Sequence, residues 1–303
     1  MIRSSVVVSA PAKINLCLGV GGARDDGFHA LATVYQAIGL YDQVTVRPAD
    51  GWSLSVTGHE RIQVAQVPAD ESNIAVRAAL LLAAHHGIDP DVAIAIDKGI
   101  PVAGGMAGGS ADGAATLLAC DTLWGLRTPR GELLELAGEL GSDVPFALLG
   151  GTAIGTGRGE VVTPAMTRGE YWWVVLEADV GLSTPAVYRE FDAMHGPRAV
   201  PDPVIPDALM EALRRGDVEA LGEALCNDLQ PAALRLRPEL QRALEHGLEE
   251  TAFGALISGS GPSCLFLCEG RAHAVQVASA LSGHQLGPVS FAPGPVPGAR
   301  VVG

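Results

Sequence analysis

The residues with most chemistry to offer run from Lys98 to Leu118, KGIPVAGGMAGGSADGAATLL, where a glycine-crowded loop passes directly into an Ala/Leu-rich helical pattern. Gly104, Gly105, Gly108 and Gly109 carry no Cβ, so the backbone can bend through positive φ and aim several N–H groups into one concavity. Ser110, Asp112 and the alanines after them open a helix whose N-terminus adds unpaired donors and a partial positive charge. Such a cradle suits a phosphate. Gly104 and Gly109 have the spacing of P-loop glycines, but Ser110 stands where that motif needs lysine, and no Gly-x-Gly-x-x-Gly occurs here. A standard P-loop and a Rossmann fingerprint are both excluded. Local residue types still leave open a plain glycine turn at a strand-to-helix junction.

Cations are the next resource, because the chain is acidic, with a formal charge of −14 over 303 residues. An acidic surface without a basic patch argues against nucleic acid and anionic membrane as partners. Positive potential for an anionic ligand must then come from backbone N–H groups, a helix end and a few placed side chains. Of the twenty basic residues all but Lys13 and Lys98 are arginine. Two lysines in an arginine-using chain point to positions that need a compact point charge rather than a planar fork. Lys98 directly precedes the glycine loop, and Lys13 lies in PAKINLCLGV.

Cys17, Cys120, Cys226, Cys264 and Cys268 form an odd set without a CxxC pair or metal-ligand spacing, and read as reduced core thiols of a cytosolic protein. Arg3, residues 6–8 and Ala10-Pro11-Ala12 mimic a cleavable leader, but the apolar run is too short and reads as a strand. No stretch has the length of a membrane span.

The elements that must position these residues follow from periodicity and punctuation. Strands are expected at 6–8, 14–20, 31–40, 43–47 and 52–56, with a polar turn at 21–27. Ser72 reads as the cap of a helix over 73–86, and a strand at 92–96 feeds the glycine loop. Helices follow at 110–124 and 130–140, and Ser142 reads as the cap of a short helix containing Asp143 and Pro145. The second half gives a strand at 172–176, helices at 184–194, 207–215, 218–226 and 239–250, strands at 254–258 and 264–267, a helix at 273–281 and a final strand. Residues 196–206 form a proline-rich connector, and the tail after Pro293 is expected to be loosely held. The order predicts an α+β protein in two domains, 1–160 and 161–303.

Four segments together, PAKINLCLGVGGARDDGFHAL, IPVAGGMAGGSADGAATLL, GSDVPFALLGGTAIGTGRGE and ISGSGPSCLF, resemble the signatures of the GHMP small-molecule kinases, in order along nearly the whole chain. The resemblance implies a two-domain fold, with a β-rich N-terminal nucleotide-binding domain and a ferredoxin-like C-terminal domain. It also implies transfer of the γ-phosphoryl of ATP to a hydroxyl, with Mg²⁺. The segments are most similar to the branch whose acceptor is a cytidine diphosphate-linked methylerythritol, phosphorylated at its C2 hydroxyl in non-mevalonate isoprenoid synthesis. Another acceptor of the superfamily (homoserine, mevalonate or a sugar) and a catalytically silent metabolite sensor are the competing readings.

Carried over residue by residue, the catalytic pair is Lys13 and Asp143, the aspartate as base or as orienting group for the acceptor hydroxyl. Pro101, Ala103, Gly104, Gly105, Met106, Ala107, Gly108, Gly109 and Ser110 wrap the ATP phosphates, with Ser110 also the candidate Mg²⁺ ligand. Asn73 and Lys98 fall at the adenosine portion, and Asn15 at the acceptor. Phe28, His29 and Tyr188 fall where the family receives the cytidine. Three positions depart from the pattern. Phe28 stands for a frequent tyrosine, Ala107 for a glycine and Gly113 for an alanine, and an alanine at 107 makes a positive φ there costly.

Overall fold

The β-branched alternation of the first fifty residues becomes two very long strands in the computed structural model, which describes residues 4–24, 27–60, 62–102, 104–178, 181–196 and 200–303. The chain runs β1 (Val6–Ala23), β2 (His29–Pro48), β3 (Ser53–Gly58), a 3-10 turn, α1 (Ile74–His86), β4 (Val92–Lys98), α2 (Gly108–Trp124), α3 (Arg130–Leu140), α4 (Val144–Leu149), β5 (Thr152–Thr156) and β6 (Val161–Pro164). It continues with β7 (Tyr171–Leu176), α5 (Thr184–His195), α6 (Asp207–Arg215), α7 (Val218–Ala224), β8 (Cys226–Asn227), α8 (Gln230–Leu236), α9 (Glu239–Glu249), β9 (Gly254–Ile257), β10 (Cys264–Cys268), α10 (Arg271–Gly283), β11 (Val289–Gly294) and β12 (Arg300–Val301).

The first sheet has the order β12-β1-β2-β4-β3, with β5 and β6 continuing from β2 and the short β8 lying parallel to β1. The second sheet is antiparallel in the order β11-β7-β10-β9. In chain order that is 4-1-3-2, the arrangement of two interleaved βαβ units, hence ferredoxin-like. β1 is buried along almost its whole length. Its Ile14 and Leu16 pack in the core with α1 and α2, while Leu18 and Val20 pack with β7, α5 and β10 of the second half. A strand buried on both faces is where a polar side chain must have a specific partner.

Several boundaries differ from the sequence reading. The expected break between strands near Tyr41 is a bulge: Pro11 pairs with Tyr41 and Ala12 with Ile38, so the extra residues of β2 are absorbed without ending it. The polar turn starts later than expected, because β1 runs on through Gly21 and Gly22 to Ala23. Asn73, not Ser72, caps α1: its side chain accepts from the Ala75 N–H, whereas Ser72 bonds to Asp70. Ser142 does not cap α4; Asp143 holds that position. The helix expected to reach Cys226 ends at Ala224, because Cys226 and Asn227 pair with Cys17 and Leu18. α8 was not expected; Pro231 stands in its first turn, where a missing N–H costs nothing. The tail is not loose. Arg300 and Val301 pair with Ser9 and Val8, and the Ala299 N–H bonds the Ala147 carbonyl. Among the described residues no helix is long and apolar enough to cross a membrane.

Candidate active site

Lys13 and Asn15, two residues apart, share one face of β1. Lys13 Nζ donates to Asn15 Oδ1 (2.7 Å), Asn15 Nδ2 to the Thr33 hydroxyl (2.8 Å), and that hydroxyl to the Cys17 carbonyl (2.6 Å). This chain of buried bonds fixes the ammonium. Asp143 lies 3.7 Å away, Lys13 Nζ to Oδ2. It occupies the position before α4 but makes no capping bond, so its side chain, 30% exposed, turns to the lysine and the open cavity. A carboxylate that forgoes a cap is available to a ligand. Two tyrosines feel it. Burial, then the Asp143 charge, pushes Tyr188 up to about 12, and the same causes hold Tyr35 well above 10. Both phenols therefore stay protonated near neutrality. The Tyr35 ring also lies 5.5 Å from Lys13 Nζ.

The glycine loop is held from three sides. The Lys13 N–H bonds the Met106 carbonyl (3.2 Å), tying the loop to β1. Met106 itself is buried, so it offers its backbone rather than its side chain to a ligand. The Ser258 hydroxyl donates to the Gly105 carbonyl (3.1 Å), joining the loop to the Gly259-Ser260-Gly261-Pro262 turn of the second sheet. Gly105 has φ +73°, and a Cβ there would collide with the Ser258 carbonyl, so both its conformation and its surroundings require glycine. Ala107 adopts φ 56°, ψ 37°, the left-handed conformation that costs alanine about 1–2 kcal/mol. The alanine thus occupies the geometry of the glycine it replaces. Gly108 and Gly109 begin α2, whose first N–H groups have no acceptor within the helix. Ala103 lies outside the described residues.

Lys98 is caged. Its ammonium bonds Asp42 Oδ2 (2.5 Å) and Asp112 Oδ2 (2.7 Å), all three groups being buried. Asp42 Oδ1 also accepts from the N–H groups of Gly99 and Ile100 (2.8 and 2.9 Å). Lys98 enters the loop and Asp112 leaves it, so the ion pair closes the loop at its base. Burial opposes the Lys98 charge, but the two carboxylates outweigh it and raise its pKa. Burial, then neighbouring Asp42, pushes Asp112 well above the usual carboxylate range. Gly113, the next residue, faces Ile74: a Cβ there would meet Ile74 Cγ2 at 2.5 Å, which accounts for glycine in place of alanine.

Two cavities flank the loop. One, of about 270 Å³, is lined by Asn73, Lys98, Pro101, Gly108 and Gly109. The other, of about 630 Å³, is lined by Lys13, Asn15, Phe28, His29, Asp143 and Tyr188, with Gly105 and Ala107 at the loop side. The loop backbone is their common wall. Asn73 both caps α1 and donates to the Pro68 carbonyl (2.7 Å) on the rim of the smaller cavity. In the larger one, the His29 ring lies 4.8 Å from Tyr188, and its Nε2 is 2.8 Å from Asp192 Oδ1. A carboxylate only accepts, so Nε2 carries the proton and, in the neutral ring, Nδ1 is an acceptor. Phe28 is half exposed beneath the Arg158 guanidinium (4.9 Å), and Arg158 and Arg189 bring positive charge to this wall.

The sequence reading missed Asp42, Asp112 as an ion-pair partner, Tyr35, Arg158 and Asp192. Asp42 left one trace: a carboxylate in an otherwise apolar strand pattern. Asp192 left none, being 163 residues from His29.

A glycine loop between two cavities, on a β-rich domain joined to a ferredoxin-like one, defines the class of GHMP small-molecule kinases. Residues 73–151 match GHMP kinases N terminal domain and residues 209–285 match GHMP kinases C terminal. The 4-diphosphocytidyl-2-C-methyl-D-erythritol kinase of Nocardioides sp. is 58% identical over 97% of this chain and 98% of that protein, and the enzyme of the same name from Streptomyces avermitilis is 54% identical over 98% and 100%. A crystal structure of 4-(cytidine 5'-diphospho)-2C-methyl-D-erythritol kinase superposes with a TM-score of 0.77 at 34% identity, covering 96% of this chain and 99% of that one. A homoserine kinase from Cytophaga hutchinsonii shares the fold, TM-score 0.75, at 20% identity over 100% and 98%. The chain belongs to the 4-diphosphocytidyl-2-C-methyl-D-erythritol kinase family.

Proposed function

We propose that this protein transfers the γ-phosphoryl group of ATP to the C2 hydroxyl of 4-diphosphocytidyl-2-C-methyl-D-erythritol, a step of non-mevalonate isoprenoid synthesis. The observation that carries the reading is the Lys13–Asp143 pair on the acceptor side of a glycine loop that also walls a second, smaller cavity. ATP would lie with its adenosine at Asn73 and its phosphates along 101–110, which directs the γ-phosphorus toward Asp143.

In the reaction the acceptor oxygen forms a bond to the γ-phosphorus, the bond to the bridging β–γ oxygen breaks, and ADP leaves with that oxygen. The hydroxyl proton passes to Asp143 or through it to water. A loose transition state places little charge on the attacking oxygen, so early removal of its proton gains little. We therefore assign Asp143 chiefly to orienting the hydroxyl, with Lys13 stabilising the carboxylate and charge on the transferring oxygens. The donors for Mg²⁺ are sparse: among the described residues no group of three His, Cys, Asp or Glu side chains could hold a metal. That suits an ion held by Ser110, nucleotide phosphates and water, and Mg²⁺ so bound neutralises phosphate charge.

The cytidine would stack on the Phe28, His29 and Tyr188 wall, with His29 Nδ1 accepting from an exocyclic amine and Arg158 and Arg189 facing the diphosphate. The free thiols suit a reducing, cytosolic setting. The test is ADP release with ATP, Mg²⁺ and the cytidylyl acceptor, run beside homoserine, mevalonate and galactose. Turnover confined to the cytidylyl substrate is expected. Turnover only with another acceptor would discard the cytidine assignment, and ATP binding without any turnover would leave a sensor.

A further inference from the structure

Cys17 of β1 and Cys226 of β8 stand opposite each other in the two-residue parallel pairing that joins the first sheet to the second half of the chain. Their sulfurs are 2.8 Å apart. That is nearer than non-bonded heavy atoms ordinarily pack, about 3.5–4.0 Å between carbons. Facing strands lie about 4.8 Å apart, within the Cα separation of about 4.4–6.8 Å that a disulfide spans. Among the described residues no other two cysteine sulfurs are in contact. Burial pushes the Cys264 and Cys268 thiols up to about 12 and raises Cys120 as well, which keeps those three inert.

Access and polarity also favour reaction at this pair. Both residues line a cavity of about 650 Å³ between β1, α5 and the proline-rich connector, with His195, Pro203 and Asp228 on its walls. Cys226 is the more exposed of the two. The shared hydrogen bond lowers the Cys226 pKa, while the same bond and burial raise that of Cys17. After loss of one proton, Cys226 carries the thiolate and Cys17 keeps the remaining hydrogen.

We propose that Cys17 and Cys226 form a peroxide-oxidisable dithiol that closes to a reversible intramolecular disulfide, clasping β1 to β8. The Cys226 thiolate attacks hydrogen peroxide: an S–O bond forms, the O–O bond breaks, and hydroxide leaves to take up a proton, giving a sulfenic acid and water. The Cys17 sulfur then attacks the Cys226 sulfur. The S–S bond forms, the S–O bond breaks, and hydroxide departs with the Cys17 proton as a second water. Two thiols are oxidised and one peroxide is reduced to two waters. The clasp adjoins the reaction cavity from both sides. The Cys17 carbonyl ends the bond chain from Lys13 through Asn15 and Thr33. Asn227, next to Cys226, holds the carbonyls of Ile257 and Gly259, and Gly259 lines the cavity that holds Lys13 and Asp143.

The test treats the reduced, folded chain with hydrogen peroxide at neutral pH, then alkylates it under denaturing conditions and measures intact and peptide masses. The expected product has lost about 2 Da, the two thiol hydrogens. Of its five cysteines, three alkylate, and the peptides containing Cys17 and Cys226 are joined until a thiol reductant frees them. Cys17→Ser and Cys226→Ser each abolish the product. Four results would overturn the proposal: five alkylatable thiols after treatment, oxygen gained at Cys226 while Cys17 still alkylates, the same mass loss in Cys226→Ser, or a link that forms only after unfolding in urea.

Discussion

At the scale of single residues, the two lysines do different work although both are buried beside carboxylates. Lys13 faces a cavity, and its partner Asp143 remains open to an acceptor; Lys98 faces two carboxylates and closes the glycine loop. Asp143→Asn is expected to lower kcat by about 10²–10⁴-fold, while KM for ATP stays within about twofold, because the role proposed for the carboxylate is on the acceptor. Steady-state kinetics with each substrate varied checks this, and unchanged kcat would remove Asp143 from the reaction. Lys98→Met is expected to cost stability, about 3–5 kcal/mol, because two buried carboxylates lose their counter-charge. This cost depends on pH with a definite sign. The folded pKa of Lys98 is raised above its ordinary 10.5. Below 10.5 both states bind the proton and the stabilisation is complete; above it the unfolded chain releases the proton first, and the contribution is lost as pH rises through the folded value. Denaturant unfolding of both chains from pH 8 upward should show their difference shrinking only above about 10.5. The sequence made these lysines legible through their rarity. It left Asp42 illegible as a partner, because that carboxylate reaches Lys98 from 56 residues away.

At the scale of elements, the glycine loop is a strand-to-helix junction whose strain and crowding can be measured. Ala107 adopts a left-handed conformation that glycine adopts freely. Ala107→Gly should therefore recover about 1–2 kcal/mol of strain and lose about 0.4–1 kcal/mol to the freer unfolded chain, for a net gain of roughly 0.5–1 kcal/mol. A shift of the urea midpoint to lower values would contradict the strain. Gly113→Ala pushes a methyl against Ile74 Cγ2 where α1 and α2 approach, and should destabilise by about 1–3 kcal/mol. The same substitution in an Ile74→Ala background should cost less, and equal costs in both backgrounds would disprove the contact. Element types were largely legible, because periodicity and helix punctuation are local. Caps were less so. Asn73 and Ser72 are equally good cap residues on paper, and only the chain direction at Pro68 and Asp70 gives the role to Asn73.

At the scale of the whole molecule, the C-terminal segment buttresses α4, the helix that begins after Asp143. β12 pairs with β1, Pro297 bridges Gly150, and the Ala299 N–H bonds Ala147 within α4, one residue beyond Phe146 and four beyond Asp143. Removing residues 295–303 is expected to lower the unfolding midpoint and to reduce kcat more than it changes KM for ATP, because α4 loses a lateral support while the cavity at Asn73 and Gly108, proposed to take the nucleotide, keeps its walls. Thermal unfolding and kinetics of the truncated chain test this; unchanged kcat would make the tail a mere sheet edge. By itself the sequence determined the glycine loop at a strand-to-helix junction, the rarity of the lysines and the alternation of strands and helices, because these depend on residue type, φ preference and near-neighbour spacing. Tertiary structure alone decided that Lys98 meets Asp42, that the glycine loop walls two cavities, that Cys17 meets Cys226, and that the tail completes the first sheet. Each of those pairings joins residues far apart in the chain. The local signals at either end are alike whether or not they meet, and it is the pairing of distant strands around the buried β1 and β2 that brings them together.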